Sequence, residues 1–542
     1  MTAAIDITAG QRKTLLALLR RYIPGVAVWA YGSRVKWTAR PNSDLDLVAF
    51  TTPEQQPRVS ELKEALAESD LPFLVDFHVW DDVPERFHEI IRKEYVVFQD
   101  VTENTGVNNS PGDYAQHKVE ELISDGVLLI NDGYRAKNSE LSKTGIPFAR
   151  VGNIDGGFHF EDADRVPPET LSRVGLKRSL PGDVVFTSKG TVGRFAFVRE
   201  HTPEFVYSPQ LCYWRASDPA RIHPRWLYYW MNGREFFLQY KGVAGQTDMA
   251  EYVSLRDQRA MKITLPPPDE QKAIAHILGT LDDKIELNRR MNATLEEMAR
   301  ELFQSWFVDF DPVRAKLDGR QPAGLDAATA ALFPAHFQES PLGHIPQGWA
   351  VRSLDQVADY LNGLALQKYP PGDGETLPVI KIAQLRKGDS EGADRCNTEL
   401  APQYIVDDGD VLFSWSGSLE VELWCGGRGA LNQHLFKVTS SDFPKWFYYL
   451  WTLYHLDEFR LIAADKATTM GHIQRGHLTA AKVLVPAHSL LESMSHIMAP
   501  LIDQIIANRA QSRTLGTIRD ALLPKLLSGE LSVSERIAEV TI

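Results

Sequence analysis

The sequence predicts an α+β multidomain chain: a small α/β domain, then two mixed α/β globules, each leading into a long helix, with the two helices paired. Three observations predict it. Ile274, Leu278, Leu281, Ile285, Asn288, Asn292, Leu295, Ala299, Leu302 and Trp306 follow one another at alternating spacings of 4 and 3, which is a heptad seam. Adding 220 to each position gives Met494, Met498, Leu501, Ile505, Asn508, Ser512, Leu515, Arg519, Leu522 and Leu526, the same seam with the same polar notch at Asn288 and Asn508. The segments before both seams echo each other too, and the chain opens on short apolar runs separated by turn residues.

Each seam either packs on its own globule or pairs with its repeat. Pairing is the reading preferred here, because an apolar row of more than four turns needs cover and its own repeat is complementary. Buried Asn288 and Asn508 would then fix the register, since an amide in a core must find a partner.

Composition sets bounds. With 542 residues, 44% hydrophobic and 24% charged, the chain is long enough for three or four domains. Residues 1–10 show no basic run followed by an apolar one, and no window offers a membrane span, so a cytoplasmic protein with no membrane association is expected. Cys212, Cys396 and Cys425 are odd in number and far apart, which suits a reducing compartment rather than a metal knuckle. A net charge of −13 argues against coating nucleic acid by charge alone.

Along the first hundred residues, helices are expected over 12–22 and 58–69, and strands over 26–31, 45–50 and 74–79. Gly32-Ser33 is followed by ten residues and then Asp44-Leu45-Asp46. Side chains two apart on a strand share a face, so Asp44 and Asp46 can hold a divalent cation together. The Gly-Ser turn exposes backbone N–H groups suited to a triphosphate. This stretch resembles the minimal nucleotidyltransferases of the polymerase-beta superfamily. The resemblance implies Mg2+ and an NTP as cofactors, Gly32 and Ser33 as nucleotide-binding residues, and Asp44, Asp46 and Asp76 as the metal-binding and catalytic carboxylates. Asp76 matches the third carboxylate by its place on a strand after a helix, and is the candidate base toward the incoming hydroxyl.

Residues 100–113 read as a linker, rich in Asn, Gly and Ser with one Pro. In the first globule, strands are expected over 147–153, 183–187 and 192–198 and a helix over 224–237. Ile146–Val151 answers Leu377–Ile382 at an offset of 231, Gly182–Phe186 answers Gly409–Phe413 at 227, and Leu227–Trp230 answers Phe447–Leu450 at 220. Length varies in the globules and is held constant in the helices, so the globules read something and the helices set geometry. Three loop pairs carry polar side chains able to reach base edges: 187–194 with 413–418, 245–247 with 467–472, and 207–210 with 431–434. The candidate DNA-binding residues are Lys189, Arg194, Gln210, Gln246, Thr247, Ser414, Ser416, Gln433, Thr468 and His472, with Lys189 and Arg194 equally readable as solvated surface cations. Asp309-Phe310-Asp311-Pro312 is read as a helix exit rather than a metal pair.

The larger part resembles the specificity subunit of Type I restriction-modification systems. The residues that carry this are Leu265-Pro266-Pro267-Pro268-Asp269-Glu270-Gln271, the run Phe303–Pro312, and Leu342-Gly343-His344-Ile345-Pro346-Gln347-Gly348-Trp349. The resemblance implies two target-recognition domains reading the halves of a bipartite DNA site on an antiparallel coiled coil. It also implies methyltransferase and motor-nuclease subunits as partners, and a role in antiviral defence. The divisions are 1–100 nucleotidyltransferase-like domain, 101–112 linker, 113–265 first recognition domain, 266–312 first long helix, 313–341 connection, 342–485 second recognition domain and 486–530 second long helix. On a duplex rising ~3.4 Å per base pair, the roughly 48 Å between Ile274 and Trp306 corresponds to about 14 base pairs. The second helix lacks the Glu-Gln pair of the first. No S-adenosylmethionine loop, P-loop or nuclease carboxylate-lysine set is present in this part, so methylation and cleavage fall to partners, and it needs no cofactor. The N-terminal domain either transfers nucleotides, senses them to gate the complex, or modifies a partner protein as antitoxin relatives do.

Overall fold

The computed structural model describes residues 5–531 apart from 37–38, 40–42, 52–54, 68, 70, 85–86, 89–90, 92–94, 100–113, 191, 244–251, 373 and 466–470. The chain folds as two compact units, residues 1–280 with 520–542, and residues 281–519.

The first unit begins with α1 (Ala9–Tyr22), β1 (Val28–Tyr31), β2 (Leu45–Ala49), α2 (Gln56–Ala67), β3 (Val75–Val79) and β4 (Tyr95–Gln99). Thr8 caps α1 through a reciprocal pair with Gln11. The sheet order is β3-β2-β1-β4, with β2 and β3 parallel and the rest antiparallel. Alternation along β1 and β2 puts Val28, Ala30, Leu45 and Leu47 on the face packed against Leu15, Leu19 and Leu62 of the two helices.

The first globule follows with β5 (Ala115–Lys118), β6 (Leu128–Asp132), β7 (Ile146–Ala149), β8 (Val184–Thr187), β9 (Phe195–Phe197), β10 (Val206–Tyr207), β11 (Leu211–Ala216), α3 (Pro224–Asn232), α4 (Arg234–Val243), β12 (Lys262–Leu265) and the long helix α5 (Pro268–Phe307). Its main sheet runs β9-β8-β11-β6, all antiparallel, while β7 pairs β10 in parallel and β5 pairs β12. The helix expected over 224–237 is two helices, because Gly233 is extended. A Cβ there would come 2.5 Å from Leu527 Cδ1, so the break also sits at a point of close packing. Buried Asp183 takes two hydrogen bonds from Arg215 and one from Tyr207, fastening β8 to β11. Gln271, on the first turns of α5, donates to the Arg221 and Pro266 carbonyl oxygens and accepts from His223 N.

The second globule and the helix after it repeat this topology with β13 (Ala350–Ser353), β14 (Asp359–Asn362), β15 (Thr376–Ile380), β16 (Val411–Ser414), β17 (Val421–Leu423), β18 (Gly429–Leu431), β19 (Leu435–Thr439), α6 (Lys445–Tyr454), α7 (Leu456–Asp465), β20 (Lys482–Val485) and α8 (His488–Leu527). The order β17-β16-β19-β14 matches strand for strand, as do the parallel pair β15–β18 and the antiparallel pair β13–β20. Asp410 stands where Asp183 stands in the first and pairs with Lys437, a cation two residues earlier on the partner strand than Arg215. At the position of Gln271 is buried Leu491, so the amide tie is replaced by an apolar one. The Asp309–Pro312 segment makes a helix exit: Phe310 is left-handed, Asp309 accepts from the Gln304 side chain, and Asp311 opens a short helix to Leu317.

The helices α5 and α8 are 40 residues each and, within the second unit, lie against each other antiparallel. Asp282 receives Arg519, Asn288 donates to Ser512 Oγ, and Asn292 donates to the Ile505 carbonyl oxygen, so residue numbers climb on one helix as they fall on the other. Asn288, Asn292 and Asn508 are buried; Leu281, Ile285, Leu295 and Leu302 keep partial exposure, as two helices alone cannot enclose a seam. Arg509 also donates to Glu422 and the Leu423 carbonyl oxygen, and Arg513 to both oxygens of Asp408, fastening the second globule to α8.

Candidate nucleotidyl site and nucleic-acid interface

In the N-terminal sheet, Leu45 and Leu47 point into the core, so Asp44 and Asp46 point away from it. The parallel register sets Asp46 opposite Asp76, and the antiparallel one sets it opposite Tyr31. Burial, then repulsion from Asp76 and Asp44, raises the Asp46 pKa above the ordinary carboxylate range. Tyr31 is pushed up to about 12 by burial and the charges of Asp46 and Asp76. His78, two residues on and on the same face, places Nε2 3.0 Å from Asp76 Oδ1. Gly32 has φ +80°, and a Cβ there would meet Asp46 Oδ2 at 2.1 Å, so the Gly of the Gly-Ser turn is required by both backbone and space.

Sequence reasoning missed Arg34. Its guanidinium donates to the Ser43 carbonyl oxygen from Nε and Nη2 and to the Asp6 carbonyl oxygen from Nη1, and lies 4.0 Å over the Phe73 ring. Arg34 and Ser43 are the first and last of the ten spacer residues, so this side chain closes the loop that separates Gly-Ser from Asp-x-Asp. Hard carboxylate oxygens suit Mg2+ by donor chemistry, and a dication would relieve the repulsion that lifts Asp46. Among the described residues, however, no three His, Cys, Asp or Glu side chains are gathered into a closed ligand cluster.

The two globules present equivalent loop contacts. Lys189 bridges Tyr252 in the first and Ser416 bridges His472 in the second. Lys189 and Gln210 are exposed, and the Ser188 amide donates to the Gln210 carbonyl oxygen, joining their loops. Arg194 is held by Asp155 at 2.9 Å. In the second globule the Ser416 hydroxyl meets His434 Nδ1 at 3.0 Å, Gln433 Nε2 lies 3.3 Å from His434 Nε2, and the Trp415 ring packs on both His434 and His472. Gln433, His434 and His472 therefore form one surface around Trp415. Ser414 requires correction as a base reader: it is buried, donates to the Ser418 carbonyl oxygen and accepts from Glu420 N, so its hydroxyl is consumed in shaping the turn. Ser416 is also buried, with its hydroxyl turned to His434. Gln246, Thr247 and Thr468 lie outside the described residues. Trp415 and His434 lie in loops expected to read bases but were not singled out, and Tyr252 was missed; the offset of 220 from His472 would have found it.

The chain thus carries two copies of one mixed globule, each followed by a 40-residue helix, after an N-terminal sheet that bears Asp44, Asp46 and Asp76. The Type I restriction modification DNA specificity domain matches residues 124–297 and 346–514, more than half of the chain, and the polymerase beta nucleotidyltransferase family matches residues 13–103. The chain belongs to the Type I restriction-modification specificity family and carries an N-terminal domain of the polymerase-beta nucleotidyltransferase family. It is 27% identical over 379 residues to the Type I restriction enzyme MjaIX specificity subunit of Methanocaldococcus jannaschii, covering 68% of this chain and 82% of that one. Its N-terminal part is 43% identical over 99 residues to a probable protein adenylyltransferase, MntA, of Haemophilus influenzae, covering 18% of this chain and 87% of that one. Among solved structures, a Type I S subunit from M. genitalium aligns with a TM-score of 0.46 and 13% identity, over 78% of this chain and 97% of that one. No helix among the described residues is long and apolar enough to cross a membrane.

Proposed function

We propose that this DNA-specificity subunit reads a bipartite DNA target, one half with each globule, and recruits methyltransferase and motor-nuclease subunits that supply the chemistry. The observation that carries this is the recurrence of one loop-to-loop bridge, Lys189 with Tyr252 and Ser416 with His472, on two globules of identical strand order. Lys189, Gln210, Gln433 and His472 are the side chains offered to base edges. With a net charge of −13, partners contribute much of the phosphate contact. The methylation pattern written into DNA when the chain is expressed with its partners tests this reading. Two short half-sites with a fixed gap are expected, and a single uninterrupted motif would overturn it.

The second reading concerns the N-terminal site. The Gly32 turn against Asp46, the Arg34–Ser43 closure and the Asp46–Asp76 register support transfer of a nucleotide from an NTP to a hydroxyl of a partner protein, the new bond forming at the α-phosphate as pyrophosphate leaves. Asp44 and Asp46 would hold Mg2+, which supplies charge neutralisation at the phosphates, while Asp76 accepts the proton of the attacking hydroxyl. Labelled NTP incubated with the complex tests it: label on protein that vanishes in the Asp44→Ala, Asp46→Ala double variant is expected, and no label from any NTP would leave the domain as a nucleotide sensor or a scaffold.

A further inference from the structure

The outer face of the N-terminal sheet is two surfaces in one. Alternation places Trp29, Tyr31, Asp46, Val48, Phe50, Asp76, His78 and Trp80 on the side away from α1 and α2. At one end are the carboxylates, with the Asp76 side chain 56% exposed. At the other, Phe50 stacks on Trp80 at 4.9 Å and Trp80 on His88 at 4.2 Å, with Trp29 edge-on to both Phe50 and Trp80. Packed against this aromatic end, together with Val83 and Ile91, is a residue from the recognition globule: Leu238 of α4. One turn on, on the same side of that helix, Lys241 Nζ lies 3.9 Å from Asp81 Oδ1.

The repeat supplies an internal control. Phe236 packs on Phe186 of β8, and its counterpart Phe459 packs on Phe413 of β16, so Leu238 corresponds to Leu461, two residues further in each case. Leu461 is 70% exposed. The position is therefore not part of the globule's own core, and Leu238 is covered because the N-terminal domain lies on it.

We propose that α4 of the first recognition globule is the docking ridge for the nucleotidyltransferase domain, with Leu238 seated on the Trp29–Phe50–Trp80 surface and Lys241 against Asp81. The domain is fastened by this ridge as well as by its chain connection, with Phe50 and Trp80 buried at the seat and Asp76 left exposed. The ion pair, long and solvent-facing on the Asp81 side, orients the contact; the apolar seat holds it.

Hydrogen–deuterium exchange on the full-length chain tests the proposal from both sides. Exchange follows the population of locally opened states, so in Leu238→Asp peptides covering 28–31 and 79–83 should exchange roughly tenfold faster while β11 and α3 keep their rates. In Val83→Asp, on the other partner, α4 should exchange faster with the same elements unchanged. Leu461→Asp should alter none of these peptides. Unchanged rates at 28–31 and 79–83 in Leu238→Asp, together with unchanged α4 in Val83→Asp, would overturn the docking. If Leu238→Asp instead loosens the globule core, Val83→Asp alone decides. Neither readout involves DNA or nucleotide, so failure here is separable from failure of the proposed function.

Discussion

Asn288 Nδ2 donates to the carbonyl oxygen of Asn508 at 3.3 Å, and these two residues hold the same position in two copies of one repeat. In an antiparallel pair of like helices, equivalent positions meet only at the local two-fold axis, so the polar notch marks that axis. Asn288 Nδ2 also reaches Gln511 Oε1 and Ser512 Oγ, Asn508 Nδ2 donates to Asn292 Oδ1, and Asn292 Nδ2 to the Ile505 carbonyl oxygen. Sliding the helices by one heptad would strand all three buried amides in an apolar seam.

Asn508→Leu removes the donor to Asn292 Oδ1 and leaves a buried acceptor unmet. A loss of about 1–3 kcal/mol is expected in urea or thermal unfolding of the full chain. Asp503→Ala, an exposed position on the same helix, should stay near wild type.

Gly32→Ala forces a side chain into the space of Asp46 Oδ2 at a positive φ. The backbone strain costs about 1–2 kcal/mol. Any nucleotidyl transfer should fall with the displaced carboxylate, while methylation in the assembled complex continues. Calorimetry and label transfer measure the two effects separately.

His472→Ala should relax base preference in one half of a split target, and Lys189→Ala in the other. Each lost base contact is worth about 1–3 kcal/mol of discrimination. Sequencing of methylated sites reads the outcome; loss of both half-sites from either single change would contradict independent readers.

Asp408 is held below the ordinary carboxylate range, first by its hydrogen bonds from Arg513 and then by the Gly427 amide. A depressed acid contributes stability above its unfolded pKa, near 3.8, and loses it as pH falls through the lower folded value. Asp408→Asn should therefore lower the melting temperature near pH 7, and the gap to wild type should close as pH drops below about 4. Partial exposure keeps the effect small. A gap independent of pH would show that the carboxylate charge is not what matters.

What could be read from sequence was whatever repeats. The seams, the Asn notch and the Gly32–Ser33 to Asp44–Asp46 spacing are periodic or fixed-offset signals, and they place the helix pair and the carboxylates. What could not be read depends on contacts between distant segments. Gly233, where the expected helix breaks, packs against Leu527, nearly three hundred residues away, and the Arg34–Ser43 closure needs a folded loop to exist. Ser414 looked like a reader because it is polar in a Gly-rich loop, yet it ends a strand whose residues are all buried, and its hydroxyl serves the backbone.

The grip of Arg34 on Ser43 ties the carboxylate strand to the turn that precedes it. Both hydrogen bonds end on the residue just before Asp44, so losing the guanidinium, as in Arg34→Met, frees the start of the strand that carries Asp44 and Asp46 while leaving every carboxylate in the sequence.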